Sequence, residues 1–341
     1  MRPLRIVVLV HADLVPPDSM EGYTDEEILE WKTEFDVLHT LREMGHDAHP
    51  VGVSDDLGVM RRSITEQKPH IVFNLLEEFR GVPVFDSHIV SYLVLIQQKF
   101  TGCNPRGLML AHDKVLSKQI LSYHRIPTPR FCVFPIGREV RKPAKLHYPL
   151  FIKSATEDAS HGLSQSSIVR TEEELRERVR YIHEEVHTAA LCEEFIEGRE
   201  LYVGIIGNSK LKTFPIWELK FDKNKEKIPL IATREAKWDP DFQKKYGVMT
   251  YEATDLTPAL ARRIEQICKR TYRGLFQSGY SRIDLRVTDD ERVYVLEANP
   301  NPNLSFGEDF AESGEAAGLK YDALLARIIR LGLSYDPGKP Q

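Results

Sequence analysis

Four polar side chains between Ser281 and Asn303 have the types and the spacing to hold a metal ion beside a phosphate. Arg282 and Asp284 stand two residues apart, as do Glu297 and Asn299, on two strand-like runs joined by the turn Asp289-Asp290-Glu291. Residues two apart on a strand share a face, so a tight turn brings both pairs together. Two carboxylates and an amide offer the oxygen donors that Mg²⁺ prefers, to be completed by the oxygens of a nucleotide. Arg282 adds a cation for phosphate. The same pattern also fits a half-exposed hairpin with a wet polar face, so the elements around it matter.

The chain has 341 residues, enough for roughly two or three domains with ample core. Its hydrophobic fraction of 42% and charged fraction of 28% fit an ordinary soluble globular protein. The formal net charge of −5 argues against sequence-independent nucleic-acid binding, which needs a basic stripe to displace counterions. Cys103, Cys132, Cys192 and Cys268 are scattered without a CxxC spacing, so neither a zinc site nor a disulfide framework is expected. Each reads as a reduced, buried core residue. The strand-like run Leu4–Val10 is too short for a signal peptide, and no apolar run approaches the ~18 residues of a membrane span. The expected compartment is the cytoplasm, with no nucleic-acid and no membrane partner.

Strand and helix signals alternate over the first hundred residues, as in a doubly wound α/β domain. Strands are expected at Leu4–Val10, Ala48–Val53 and His70–Leu75, with a helix over Asp25–Met44 stopped by Gly45. Ile28, Trp31, Phe35, Leu38 and Leu41 recur at helical steps and form its core face. A second helix is expected over about Phe85–Gln98, and Gly102 opens a loop. A helix with Lys114 in its first turn runs from Asp113 to His124, where Pro127 and Pro129 punctuate the chain.

Strand Phe151–Lys153 then leads into the small, polar loop 154–162, followed by strand Ser166–Val169. Such a loop can present backbone N–H groups to phosphate oxygens behind Lys153, although most loops of this kind bind nothing. Thr171 and Glu174 form a capping box for a charged helix to about Glu185. Next come Leu191–Ile196, the turn Glu197-Gly198-Arg199, and Glu200–Ile206. They read either as a plain hairpin or as a passage between domains, which would offer a slot for an adenine ring. After strand Leu211–Leu219, residues 221–250 read as a long polar loop, and Pro258–Gln277 as an amphipathic helix ended by Gly279. A loop of that length is more often functional than idle. Internal repeats and low-complexity stretches are missing from the sequence.

Taken in order, these pieces resemble the ATP-grasp superfamily, and within it the D-alanine–D-alanine ligase group, from about Ala111 to Ser305. The resemblance implies an α/β ATP-grasp fold: an N-terminal doubly wound pre-ATP-grasp domain over 1–112, and two α+β subdomains over 113–195 and 196–335 that sandwich ATP. Lys114 and Lys153 match the family's two phosphate-binding lysines. Glu157, Ser160 and Gly162 fall on its glycine-rich loop, with Ser160 contacting phosphate. Glu193, Glu194, Phe195 and Ile196 match the adenine-contacting run, Glu200 the ribose-binding glutamate and Leu296 a residue of the adenine floor. Lys237, within Glu235-Ala236-Lys237-Trp238, resembles the lysine of a mobile loop that reaches the γ-phosphate. Arg282 is similar to the arginine that stabilises the transferring phosphoryl group. Asp284, Glu297 and Asn299 match the ligands of Mg²⁺, with two ions implied and Mn²⁺ able to substitute.

The activity so implied is carboxylate–amine ligation. A carboxylate attacks the γ-phosphate, ADP leaves, an amine attacks the resulting acylphosphate and phosphate departs. Arg282, Lys237 and Ser160 would be the catalytic residues, and the loops 154–165 and 221–250 would shield the acylphosphate from water. On this reading Lys237→Ala lowers turnover while nucleotide binding, measured by calorimetry, persists. Small carboxylate and amine substrates are the expected partners, and a homodimer is the expected assembly because the related ligases are commonly dimeric.

Departures from the D-alanine ligase pattern concern the substrate end. The family's early glutamate motif is replaced by His11-Ala12-Asp13-Leu14, and its histidine- and glycine-containing loop by Asn74-Leu75-Leu76-Glu77-Glu78-Phe79-Arg80. Its glycine-rich turn after the metal strand becomes Pro300-Asn301-Pro302-Asn303-Leu304-Ser305, where two prolines remove backbone donors. Within the glycine-rich loop, Ala159 stands where the family has a serine next to Ser160. Glu77, Glu78, Arg80, His11, Asn301 and Ser305 are the tentative substrate residues. Glu77, Glu78 and Arg80 follow a parallel-type strand, where open α/β sheets place ligands, and could equally be solvated surface charges. D-alanine–D-alanine ligation proper, a kinase- or carboxylase-like reaction, and a nucleotide sensor without ligase chemistry stay open as other readings.

Overall fold

In the computed structural model, which describes residues 2–156, 164–221 and 240–338, the N-terminal part is a parallel sheet of order β2-β1-β3, formed by β1 (Arg5–His11), β2 (Asp47–Val53) and β3 (Ile71–Asn74). Alternation along β1 builds two cores. Ile6, Val8 and Val10 pack with α1 (Asp25–Glu43) and the C-terminal helix Tyr321–Ser334, whereas Val7 and Leu9 pack with α2 (Leu57–Gln67) and α3 (Asp86–Leu95). A sheet buried on both faces is what a doubly wound domain requires. Thr24 caps α1 in a reciprocal capping box with Glu27; of the expected core face Trp31, Leu38 and Leu41 are buried while Ile28 and Phe35 are only half-buried, and Glu34 and Val37 are buried in addition.

After Gly102 the chain does not stay in a loop but forms a helix, α4 (Pro105–His112), which Asn104 caps and Pro105 starts. The next helix, α5 (Lys114–Tyr123), is capped by Asp113. Its Leu121 packs with Ile126 into the core of the C-terminal sheet rather than that of the middle one.

The middle part is a four-stranded antiparallel sheet of order β4-β7-β5-β6, made of β4 (Phe131–Phe134), β5 (Leu150–Ser154), β6 (Ile168–Val169) and β7 (Ala190–Glu194). β4 was not expected from the sequence: its few apolar residues sit between proline-rich segments and are too short to show a period. The strand expected from Ser166 starts at Ile168 because Gln165–Ser167 form a 3-10 turn. Thr171 caps α6 (Glu172–Tyr181) by accepting from Glu174 N, but the Glu174 carboxylate receives the N–H of Arg170, not that of Thr171.

β7 and β8 (Arg199–Ile206) do not form a hairpin. β7 pairs with β4 and β5, while β8 pairs with β9 (Lys212–Lys220) and β11 (Tyr280–Val287), so residues 195–198 carry the chain from one sheet to the next. Gly198 makes the crossing possible: its φ is +146°, and a Cβ there would lie 2.1 Å from the carbonyl oxygen of Val287.

The third sheet has the order β10-β9-β8-β11-β12, with β10 (Met249–Glu252) at its edge and β12 (Val293–Pro300) at the other. Part of the long loop expected over 221–250 is therefore regular: Pro240–Tyr246 are helical and β10 pairs with β9. The amphipathic helix covers Pro258–Gly274, three residues shorter than expected, and buries Leu260, Ile264, Ile267, Cys268 and Tyr272 against this sheet.

Candidate active site

The metal-type cluster is assembled by antiparallel pairing and one irregularity. In the register of β11 and β12, Arg282 stands opposite Asn299 and Asp284 opposite Glu297, while Leu285 pairs with Val295. Leu296 is thus an extra residue, a β-bulge. Its consequence is decisive for the site. Strict alternation would keep Val293, Val295, Glu297 and Asn299 on one face; the bulge lets Val293 and Val295 enter the core while Glu297 and Asn299 turn to the face of Arg282 and Asp284. Across β8 the same face continues with Gly204, Tyr202 and Glu200 opposite Arg282, Asp284 and Arg286. The other face, with Leu201, Val203, Ile283 and Leu285, is core.

Within this polar face, Arg282 donates from Nε and Nη2 to the two carboxylate oxygens of Asp284 at 2.8 and 3.0 Å, and its guanidinium lies 4.7 Å from the Tyr202 ring centroid. Although burial alone would lower the pKa of Arg282, Asp284 raises it overall, and Tyr202 and Asp309 contribute in the same direction. Glu200 accepts from Tyr202 Oη at 2.8 Å and from Arg286 Nη2 at 2.6 Å. Arg286 also reaches the carbonyls of Ile196 and Gly198 at 3.4 Å and lies 5.5 Å from the Phe195 ring, so it braces the crossing segment.

The middle sheet brings its charges to the same place. Lys153 Nζ is 3.9 Å from Glu297 Oε2 and 3.5 Å from Glu193 Oε2. Glu193 in turn lies 2.5 Å from Lys118 Nζ, which donates to Leu296 O at 3.1 Å and Thr128 Oγ1 at 2.9 Å. Both members of the Lys118–Glu193 pair are at most 3% exposed. Burial pushes the Lys118 pKa down and Glu193 opposes that shift. Lys118 was not singled out in the sequence, where one more lysine on an amphipathic helix carries no signal; a lysine on the apolar side of α5, one turn after Lys114, was the available clue. Lys114 itself is 8% exposed, and its N–H donates to Ala155 O. Glu194 accepts from His147 N, and Phe195 N donates to Pro149 O. Glu157, Ser160, Gly162 and Lys237 lie outside the described residues.

In the N-terminal part, His11 Nε2 at the carboxyl end of β1 is 3.4 Å from Glu78 Oε1, beyond the carboxyl end of β3. Glu77 is exposed, and Arg80, also exposed, has a φ of +57° and donates from its backbone N–H to Ser54 O. A further acid, Glu34 on α1, is 6% exposed; burial raises its carboxyl to about 7, with Glu77 adding to the rise. The sequence hides Glu34 because it interrupts an apolar helix face that is otherwise ordinary. Asn301 and Ser305 are tied into the scaffold: Asn301 Oδ1 accepts from Cys103 N at 2.8 Å, and Ser305 Oγ lies 2.6 Å from Thr33 Oγ1. Thr33 also donates to Asn303, while Lys32 and Asp36 hold the backbone of Phe306. The turn after β12 is therefore clamped to α1.

For a hard divalent cation the donors are chemically suited: two carboxylates and an amide side chain, converging from paired strands. The Asn299 Nδ2 group finds no hydrogen-bond partner among the described residues, so nothing there fixes the amide against presenting its oxygen. Among the described residues, no group of three or more His, Cys, Asp or Glu side chains suits a metal; the amide completes the set.

Two antiparallel sheets joined by a crossing segment, with Lys153 of one facing Glu297 of the other, have the arrangement of an ATP-grasp fold. A family model described as D-ala D-ala ligase C-terminus matches residues 121–330. An uncharacterized protein of Sinorhizobium fredii is 32% identical over 300 residues, covering 86% of this chain and 85% of that protein. The D-alanine–D-alanine ligase of Desulforudis audaxviator is 26% identical over 318 residues, covering 92% and 96%. Among solved structures, the D-alanine–D-alanine ligase of Bacillus anthracis complexed with ATP superposes with a TM-score of 0.74 at 21% identity, over 97% of each chain. The chain belongs to the D-alanine–D-alanine ligase family and has its ATP-grasp fold.

Proposed function

We infer that this protein is an ATP-dependent ligase that joins a carboxylate to an amine through an acylphosphate, releasing ADP and phosphate, with amino acids or amino-acid-like metabolites as substrates. The observation that carries this reading is the convergence of Lys153 on Glu297 from the facing sheet, beside Arg282, Asp284 and Asn299 in register. In this reading the nucleotide lies between a central unit over 113–195 and a C-terminal unit over 196–335, behind an N-terminal domain over 1–112. Glu193, Glu194, Phe195, Ile196 and Leu296 line the base, Glu200 faces the ribose, and Lys114 and Lys153 face the phosphates. Glu157, Ser160, Gly162 and Lys237 belong to the covering loops.

Asp284, Glu297 and Asn299 would hold Mg²⁺, two ions in this reading, with Mn²⁺ as a substitute; bound there, the metal neutralises and orients phosphate oxygens. The residues themselves do the rest. Arg282, already set by Asp284, aims fixed positive charge at the phosphoryl group as charge develops on it, and Lys114 and Lys153 add to that field without reorganising. The substrate carboxylate oxygen bonds to the γ-phosphorus as ADP leaves. The amine nitrogen then bonds to the acyl carbon, phosphate leaves and the amine loses a proton. Lys237 and Ser160 complete the catalytic set.

His11, Glu77, Glu78 and Arg80 form the end that receives an ammonium-bearing substrate. Support comes from their place at the carboxyl ends of parallel strands and from Glu34, whose raised carboxyl would ionise beside a bound ammonium. Asn301 and Ser305 border this end through their ties to Cys103 and Thr33. Because the turn 300–306 is clamped to α1 and lacks the N–H groups of Pro300 and Pro302, a second substrate's carboxylate must be gripped otherwise than by a glycine-rich turn. This favours an amine partner other than that of a D-alanine–D-alanine ligase. No described helix is long and apolar enough to cross a membrane; a cytoplasmic homodimer is the assembly in this reading, with exposed Leu95, Met109 and Leu116 on neighbouring helices as its apolar surface.

The experiment is ADP and phosphate release from Mg²⁺-ATP across a panel of L- and D-amino acids, dipeptides and amines, with Arg282→Ala as the blank and mass spectrometry of products. A substrate pair that stimulates release and yields a condensed product supports the ligase. Nucleotide binding with no stimulated release by any pair counts against it.

A further inference from the structure

Cys132 on β4 and Cys192 on β7 stand directly opposite each other in the antiparallel register. Opposed residues on antiparallel strands have Cα atoms about 4.5–5.5 Å apart, inside the roughly 4.4–6.8 Å that a disulfide spans. Both side chains project to the face that packs on α6, away from the face that carries Glu193. We propose that these two thiols are a modification site at which a peroxide closes a reversible disulfide between β4 and β7.

Three observations favour the pair over the other cysteines. Both thiols are free and lie side by side across the ladder. Cys132 is half-buried, so a small oxidant meets it first, whereas Cys192 is fully buried behind it. The neighbouring Cys192 thiol lowers the pKa of Cys132, and Cys132 together with burial raises that of Cys192. The thiolate that attacks is thus the accessible one. Cys103 and Cys268 are buried in separate cores, and burial pushes the Cys103 thiol up to about 12.

The chemistry balances with hydrogen peroxide as the only added reagent. Cys132 thiolate bonds to one peroxide oxygen, the O–O bond breaks, and hydroxide leaves to become water; Cys132 is now a sulfenic acid. The Cys192 sulfur then bonds to the Cys132 sulfur, the S–O bond breaks, and water leaves with the Cys192 proton. Two thiols have lost two protons and two electrons, and one peroxide has taken them up to become two waters. A dithiol reductant reverses the bond.

The test treats the whole chain with stoichiometric peroxide, then alkylates, digests and weighs the peptides. Expected is a peptide pair joined through Cys132 and Cys192, lighter by two hydrogen atoms and restored by dithiothreitol, while Cys103 and Cys268 are alkylated only on unfolding. The near-isosteric Cys192→Ser should instead accumulate Cys132 sulfenic acid, trapped by dimedone. Recovery of both thiols as alkylatable after peroxide would overturn the proposal, as would oxidation of Cys132 beyond sulfenic acid in the wild-type chain without a cross-link.

Discussion

The phosphate end and the substrate end of this molecule are built differently. At the phosphate end, Arg282, Asp284, Glu297 and Asn299 come from two paired strands, and Lys118, Glu193 and Lys153 reach them through buried ion pairs. At the substrate end, His11, Glu34, Glu77 and Glu78 come from one strand terminus, one helix and one loop, with two of the four acids and bases in contact. Groups held by a strand ladder keep their geometry whatever the substrate, whereas groups on loops can be exchanged without disturbing the sheet. On the proposed assignment, the groups given to the nucleotide stand on the ladder and those given to the acceptor stand on replaceable loops.

Breaking the phosphate end should cost most. Lys118→Met leaves the Glu193 carboxylate buried with Lys153 alone, and removal of one partner of a buried pair costs about 3–5 kcal/mol; denaturant unfolding checks this, and Lys118→Met with Glu193→Leu should recover much of the loss. An unchanged midpoint for the single variant would show that the two sheets do not depend on this pair. Next comes Arg282→Ala, which should lower turnover by about 10²–10³-fold with nucleotide affinity nearly kept, as read by single-turnover kinetics and calorimetry.

Smaller effects belong to the substrate end and would sharpen the contrast. Folded Glu34 titrates near 7 against an ordinary value of 4.5. The folded state then binds more protons between those values, so stability falls as pH rises from about 4.5 to about 7 and levels off above. Glu34→Gln should remove that slope and add on the order of 2 kcal/mol above pH 7; parallel melting curves for the two proteins across this range would refute it. Last, Glu77→Gln and Glu78→Gln should each raise the KM for the ammonium-bearing substrate roughly tenfold, the worth of one charge-assisted hydrogen bond, with the KM for ATP unmoved. If both leave that KM unchanged, the ammonium site lies elsewhere.

Much of the phosphate end was legible because its residues are close in sequence. Arg282 and Asp284, and Glu297 and Asn299, are spaced by the strand period, and the short turn between them leaves one way to pair. Lys118 and Glu34 were not legible, since each sits on a helix whose pattern is ordinary and finds its partner in a distant element. The helical and strand segments of 240–252 were hidden in a polar stretch without period, where pairing of β10 with β9 rather than propensity decides the state.

By itself, the sequence determined the alternation that buries both faces of β1, the starts of α1 and α5, and the pairing of two acid- and amide-bearing strands, because these depend on neighbours a few residues apart. Only the tertiary structure decided that Leu296 bulges, turning Glu297 and Asn299 toward Asp284, that Lys118 and Lys153 share Glu193, and that the turn 300–306 is clamped to α1. Those outcomes rest on contacts between residues far apart in the chain, and no local pattern records which of many distant groups will supply the missing charge or hydrogen bond.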